Sequence, residues 1–403
     1  MRLVNPNQNV RDGDEEFEFA LTGIARADLN CQKVGAVFSM DIESQDERYL
    51  LAGSSDGSLC IVDLDSDLCG QPTTRHESIA RCDRRRSSTN INSNSAATRG
   101  SVPVAHHYMI STCQWYPHDN GMFSTCSTDR TLKVWNSNQM CAVESLEFPE
   151  SLSCHHWSDA ASRSPLIAVA AGTNQPHLVD VISGSKVHQL RVAHSSPVNV
   201  VRWLPGDPNL LVSGGADGKI VLWDIRNSRQ HKQGSRTYRI RPCLPAHGSV
   251  VTALRFSSDG QFLYSIGNDE CLNVWSTYNQ TLRASHSVSQ SNGGPPKKLI
   301  NFALLDWDCS RDGDTAFVPV GDDIEMVRNV SSAFPGRRVL RGHYAAVNSC
   351  VYRAKHLQLW SAGSDRQLLC WVPKLHQNDA YRNEKAGGEH KLARLTQDEP
   401  WDE

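Results

Sequence analysis

The sequence predicts an all-β fold, a seven-bladed β-propeller with a short N-terminal helix and a flexible C-terminal tail. The first observation behind this is a ruler that recurs four times. His107, Thr125, Asp129 and Trp135 form one set; His194, Ser213, Asp217 and Trp223 the second; His247, Ser265, Asp269 and Trp275 the third; His343, Ser361, Asp365 and Trp371 the fourth. In each set Asp precedes Trp by six residues, the hydroxyl residue precedes Asp by four, and His precedes Asp by 22 or 23. The second observation is three fainter copies in the gaps, which bring the total to seven. The third is the texture between the marks. Short alternating or apolar runs such as Val198–Trp203 are punctuated by Asp-Gly pairs at Asp217-Gly218 and Asp259-Gly260. Such runs are strands, and Asp-Gly readily supplies the positive φ of a tight turn.

In chain order, residues 1–26 form a segment ahead of the ring. Phe17, Ala20, Leu21 and Ile24 fall at i, i+3, i+4 and i+7, one apolar helical face, with Asp12 and Glu15 in a capping arrangement. Such a stripe either folds against a blade or inserts into a partner's groove. The ring is expected over 27–373, closed by a strand at Ala27–Gln32. The first faint copy lies at Phe38–Asp63, with Asp56 in the turn and Val62 in the tryptophan's place. The second uses Leu166–Ala171 and His177–Ile182; the third uses Leu299–Leu305, Thr315–Val320 and Ile324–Val327. Residues 71–101, rich in Ser, Thr, Asn and Arg, are expected to be a disordered insert. Its Arg84-Arg-Arg-Ser87 run is a solvated charge run or a phosphorylation or nuclear-import patch. Residues 374–403 are polar, end acidic, and are expected to be flexible.

Composition narrows the function classes. A formal net charge of −3 gives no global drive toward nucleic acid or bilayer. The 13 cysteines are scattered without a C-x-x-C pair, as expected of reduced thiols inside a cell. The first residues have no apolar core of a secretory signal, and no run reaches the length of a membrane span.

The His–Ser/Thr–Asp–Trp sets resemble triad chemistry, but a nucleophile needs one exposed site, whereas this constellation recurs at fixed spacing. A buried relay in each blade accounts for the recurrence: Asp orients His, His meets the hydroxyl, and the indole N–H finds a partner. Cys154-His155-His156 suggests a metal site only weakly, since neighbours on a strand point to opposite faces and no second ligand pair has zinc spacing. No phosphate-cradling loop is present. The expectation is therefore no catalytic residue, no metal and no cofactor.

One repeat ends differently from its sisters. Trp223 is followed by Asp224, Ile225 and Arg226, where the others read Trp135-Asn-Ser-Asn, Trp275-Ser-Thr-Tyr and Trp371-Val-Pro-Lys. Arg226 would stand at the rim of the ring, where its fork of donors suits a partner's carboxylates or carbonyls, or makes a local salt bridge.

The roughly 40-residue ruler with an early His and a late Trp is similar to the WD40 repeat. Leu211–Arg226 resembles the box that marks propellers docking on damage-specific DNA-binding protein 1, the adaptor of cullin-4 ubiquitin ligases. Gln114–Ser124 (with the run Trp115-Tyr-Pro-His-Asp119), Thr131–Trp135, Ala316–Gly321, Leu340–Val347 and Cys370–Pro373 resemble the Cockayne syndrome A family. The resemblance covers about Val34 to Pro373. It implies a non-catalytic, nuclear substrate receptor of a cullin-4 E3 ubiquitin ligase in transcription-coupled nucleotide excision repair. The partners it implies are the adaptor and cullin-4, the Cockayne syndrome B ATPase, the UV-stimulated scaffold protein and RNA polymerase II, with no small-molecule substrate and no membrane. Phe17, Leu21, Ile24, Trp223, Asp224 and Arg226 would meet the adaptor. A ligase-independent scaffold in chromatin or signalling is the competing class. A hydrolase would need acidic or His residues converging on the channel, and the sequence offers no such set outside the repeats.

Overall fold

The computed structural model describes residues 19–27, 35–65, 78–82, 105–158, 165–190, 192–225, 246–288, 315–332 and 335–373. They form seven antiparallel sheets. Blade 1 is β2 (Val37–Ile42), β3 (Tyr49–Ser54), β4 (Leu59–Asp63) and β5 (Ser78–Cys82). Blade 2 is β6 (Ile110–Trp115), β7 (Met122–Ser127), β8 (Thr131–Asn136) and β9 (Cys141–Glu147). Blade 3 is β10 (Cys154–Trp157), β11 (Leu166–Ala170), β12 (His177–Asp180) and β13 (Ser185–Gln189). Blade 4 shows β14 (Val198–Trp203), β15 (Leu210–Gly215) and β16 (Ile220–Asp224). Blade 5 is β17 (Val251–Phe256), β18 (Phe262–Gly267), β19 (Cys271–Ser276) and β20 (Thr281–Ser287). Blade 6 shows β21 (Thr315–Val320), β22 (Asp323–Arg328) and β23 (Gly336–Arg341). Blade 7 is β24 (Val347–Arg353), β25 (Gln358–Gly363) and β26 (Leu368–Pro373), completed by β1 (Phe19–Ala27). The expected strand at Leu299–Leu305 lies outside the described residues, as does the tail at 374–403.

The seams show that the sheets close into a ring. Leu51 and Ile61 of blade 1 share a core with Ile110 and Phe123 of blade 2. Leu132 and Val134 of blade 2 pack with Trp157 and Ile167 of blade 3. One cluster runs through blades 3, 4 and 5, from Ala168 through Val200 to Leu254. Another runs through blades 5, 6 and 7, from Tyr264 through Phe317 to Leu359. The last joins Met40 and Leu50 of blade 1 to Val351 and Trp360 of blade 7. The inner strands are covered on both sheet faces by neighbouring blades, which is why β3 and β4 are buried almost throughout instead of alternating.

Three expectations about the ring's periphery are corrected. The apolar stripe near the N-terminus is not helical where it is described: Phe19–Ala27 is a strand antiparallel to β26, with Ala20 opposite Val372 and Leu21 opposite Trp371. A stripe this short cannot sustain a helix in water, whereas the open edge of β26 offers a row of unpaired backbone groups. The register shifts between Leu21 and Arg26, so Ile24 falls in the irregular part of the pairing. The closing strand is therefore Phe19–Ala27 and not Ala27–Gln32, and the ring begins earlier than residue 27. Phe17 lies outside the described residues. The 71–101 stretch, expected to be wholly disordered, contains β5, which pairs with β4 as the outermost strand of blade 1. Alternation is weak on an outer strand, because one long edge and much of its surface need no apolar partner.

Candidate functional site

All four tryptophan-bearing repeats fold into the same relay on one face of the ring. In blade 4, His194 Nδ1 lies 3.0 Å from Asp217, its Nε2 lies 2.8 Å from Ser213 Oγ, and Trp223 Nε1–H donates to the same hydroxyl at 2.8 Å. Blade 5 repeats this with His247, Asp269, Ser265 and Trp275 at 2.9, 2.8 and 2.9 Å. In blade 7, His343 meets Asp365 and Ser361 at 2.8 Å each, and Trp371 meets Ser361 at 2.8 Å. The chemistry fixes the tautomer. The carboxylate accepts Nδ1–H, which leaves Nε2 as an acceptor for the hydroxyl, whose own oxygen accepts the indole N–H.

Blade 2 corrects the sequence ruler. The relay histidine is His106, not His107: His106 Nδ1 lies 2.9 Å from Asp129 and Nε2 lies 2.7 Å from Thr125, which also receives Trp135 Nε1–H at 2.8 Å. His107 is exposed, and only its backbone N–H reaches Asp129, at 3.0 Å. A 23-residue step from His106 to Asp129 equals that from His194 to Asp217, so the spacing admits either neighbour. Burial decides, because only one of two adjacent side chains can turn inward.

The Asp turns are equivalent in five blades, and the residue after each Asp has positive φ: Gly57, Arg130, Gly218, Glu270 and Arg366. Asp56 of the faint first blade accepts Gly35 N–H and Ser58 N–H at 3.0 Å each, and Val62 is fully buried in the tryptophan's place. Room for the His–Asp bond comes from a glycine the sequence reading passed over. A Cβ on Gly215 would lie 2.5 Å from His194 Nδ1 and 2.6 Å from Asp217. Burial lowers the pKa of His106 and His247 in spite of their Asp partners. Burial alone would raise Asp217, but the bonds from His194 and from the Ser195 and Lys219 N–H groups outweigh it and hold the carboxyl low. Buried imidazoles kept neutral and shared among fixed partners make a structural brace, not a nucleophile's base.

A second polar system runs between blades and was not anticipated. In three inner strands the next-to-last residue accepts a backbone N–H from the next blade. Asp41 takes Trp115 N–H at 2.7 Å, Gln114 takes Trp157 N–H at 3.1 Å, and His156 takes Trp203 N–H at 3.2 Å. His155 adds a crosslink from blade 3 to blade 2, 2.6 Å from Thr112 Oγ1 and 2.7 Å from Ser124 Oγ. Burial lowers His155 to about 3, with the Arg202 charge adding to the effect. The Cys154-His155-His156 run is thus consumed by seam contacts, and no group of metal-ligating side chains gathers among the described residues. The available signal was a polar residue directly before the aromatic, as in Gln114-Trp115 and His156-Trp157.

The proposed adaptor contacts are not brought together. Trp223 and Asp224 end β16 in blade 4, whereas Leu21 and Ile24 lie on β1 in blade 7. Arg226 lies outside the described residues, one position past Ile225.

Comparison with known proteins gives one family. The WD domain, G-beta repeat model matches residues 100–136, 184–224 and 239–276. WD repeat-containing protein ATCSA-1 of Arabidopsis thaliana is 27% identical, over 86% of this chain and 88% of its own length. Radiation-sensitive protein 28 of Saccharomyces cerevisiae is 26% identical, over 52% of this chain and 48% of its own. A guanine nucleotide-binding protein subunit beta of Oryza sativa is 28% identical over 46% of this chain and 51% of its own length. The family's repeat model coincides with the relays of blades 2, 4 and 5, and blade 7 carries the same relay outside its matches; the chain is a WD40-repeat protein folded as a seven-bladed propeller.

Proposed function

We propose that this WD40 protein acts in DNA repair, as the substrate-recognition subunit of a cullin-4 E3 ubiquitin ligase in transcription-coupled nucleotide excision repair at stalled RNA polymerase II. The observation that carries the reading is the similarity to ATCSA-1, which extends over 86% of the chain, against 46% for the guanine nucleotide-binding protein subunit beta of Oryza sativa. The relative named for radiation sensitivity points the same way. In this reading the protein works in the nucleus without chemistry of its own. It holds a substrate beside a charged ubiquitin-transfer enzyme, and raised local concentration accelerates transfer. Its partners are damage-specific DNA-binding protein 1 with cullin-4, the Cockayne syndrome B ATPase, the UV-stimulated scaffold protein and the polymerase. Trp223, Asp224 and Arg226 at the end of blade 4 are the adaptor contacts this reading keeps.

A ligase-independent scaffold is the second reading, and one finding favours it. The N-terminal stripe serves to close the ring, which leaves the Trp-Asp-x-Arg ending as the remaining sequence argument for the adaptor. Affinity purification from cell extract with mass spectrometry separates the two. Recovery of adaptor and cullin-4 by the wild-type chain, weakened by roughly 1–3 kcal/mol in Arg226→Ala, supports the receptor. A wild-type chain that brings down neither leaves the scaffold.

A further inference from the structure

The relay face is not uniform around the ring, and its uneven part lies over blades 7, 1 and 2. The residue after each turn aspartate is forced to positive φ, a conformation that suits glycine, and blades 1 and 4 have Gly57 and Gly218 there. Blades 2 and 7 instead hold arginines, Arg130 at φ 70° and Arg366 at φ 62°. Both are exposed, and neither guanidinium has an ion-pair partner among the described residues. Each shares its corner with a protruding tyrosine. Tyr108 is 61% exposed, and its carbonyl accepts Ser127 Oγ–H, while Arg130 N–H closes the same turn onto Ser127 O. Tyr344 is 67% exposed and its hydroxyl is bonded by Gln367, the neighbour of Arg366. Between these corners blade 1 presents only Gly57, packed so tightly against the backbone of His106 and Tyr108 that a Cβ would clash with both carbonyls. The face thus carries two arginine–tyrosine corners separated by a side-chain-free step. Blade 5 reverses the sign with Glu270 at the equivalent turn.

We propose that this part of the relay face is a docking surface for an acidic peptide segment of a partner protein. The two guanidiniums take spaced carboxylates, and the tyrosine rings cover the backbone between them. Charge complementarity selects this occupant. A nucleic-acid backbone carries charge every few ångströms and needs a broad basic field. Here two isolated arginines alternate with the turn carboxylates Asp129 and Asp365, on a chain of net charge −3.

The test uses the full chain and a short fluorescein-labelled peptide of alternating Glu and Ala, read by fluorescence anisotropy at low salt. The Arg130→Gly/Arg366→Gly double variant restores the residue its sister turns use, so it should melt at the wild-type temperature or above. It should bind the peptide at least about tenfold more weakly. A Lys-Ala peptide should not bind. Wild type that does not bind the Glu-Ala peptide, a double variant that binds it equally, or single-stranded DNA bound more tightly than the peptide through the same arginines would each overturn the proposal. The double variant should still recover adaptor and cullin-4 in the affinity purification above, which keeps this inference separable from the ligase reading.

Discussion

The seams between blades 1 and 4 are held differently from the seam between blades 4 and 5. From blade 1 to blade 4, each inner strand places an acceptor, Asp41, Gln114 or His156, on the next strand's backbone N–H. At the next step the position holds Arg202. A guanidinium has no acceptor, so the latch cannot repeat. Arg202 instead turns back toward blade 3, donating to His155 O at 3.4 Å and to its own neighbour Val201 O at 3.1 Å. The seam beyond it rests mainly on apolar contact around a hollow lined by Val212, Leu222, Phe256, Leu263 and Trp275, with Asn199 Nδ2–H reaching Val251 O at 3.5 Å and His247 N–H reaching Gly218 O at 3.1 Å. A buried hydrogen bond demands its partner and fixes which strand faces which, whereas apolar contact rewards fit with little regard to identity. The latched arc therefore specifies the order of the blades, and the apolar seam supplies adhesion.

The largest effect should come where both kinds of contact meet. Trp203 is 1% exposed, donates its indole N–H to His156 O at 3.0 Å and gives its backbone N–H to His156 Nδ1. Trp203→Ala removes the packing and the indole bond to His156 O, leaving only the backbone N–H on His156 Nδ1, and should cost about 3–5 kcal/mol. That is a large part of a typical domain's margin, so thermal unfolding should show a pronounced fall in Tm. A variant that melts like wild type would mean that the third seam adds little to the ring.

A smaller, more discriminating effect is expected from pairing Asp41→Leu with Phe256→Leu. The first leaves Trp115 N–H unpaired in the latched arc and should cost about 1–3 kcal/mol. The second trades one apolar shape for a near equivalent at the apolar seam and should cost less than about 1.5 kcal/mol. Chemical denaturation of both gives the ranking, and the reverse order would remove the distinction between the two kinds of seam.

The repeats were legible because their marks are tied to a turn that needs Asp and a strand end that needs Trp. The number of sheets follows from those marks, faint copies included, since Asp56 and Val62 keep their places without the relay. What was not legible was decided by competition between neighbours. His106 and His107 satisfy nearly the same spacing, and only packing turns one inward. Phe17–Ile24 has helical periodicity, but the described stretch from Phe19 pairs with β26, because an open edge 350 residues away in sequence is invisible to local pattern. The inter-blade latches escaped for the same reason: each joins two repeats, and a pattern read within one repeat does not contain them.

Acid should separate the two regions with the smallest expected effect. His155 is held at about 3 against an ordinary 6.5, first by burial and then by the Arg202 charge, and His156 is pushed well down by the same causes. The neutral imidazole belongs to the folded chain and the charged one to the unfolded chain. The contribution of each is therefore complete above about pH 6.5 and is lost as pH falls from there toward the folded value. Asp129, Asp217 and Asp365 are also held low, but they lose their contribution only below the ordinary carboxylate range, so between pH 6.5 and 5.5 the imidazoles dominate, with the buried relay histidines His106 and His247 lowered in the same direction. One pH unit is worth about 1.4 kcal/mol for each such histidine. Thermal unfolding at pH 7.5 and 5.5 should show a loss for wild type that shrinks in His155→Gln, which keeps a polar group between Thr112 and Ser124 without the titration. Hydrogen exchange at pH 5.5 should rise in β10, which carries both imidazoles, before it rises in β17, which carries none. Equal acid sensitivity in the variant, or earlier opening of β17, would show that the polar latches are not what acid releases.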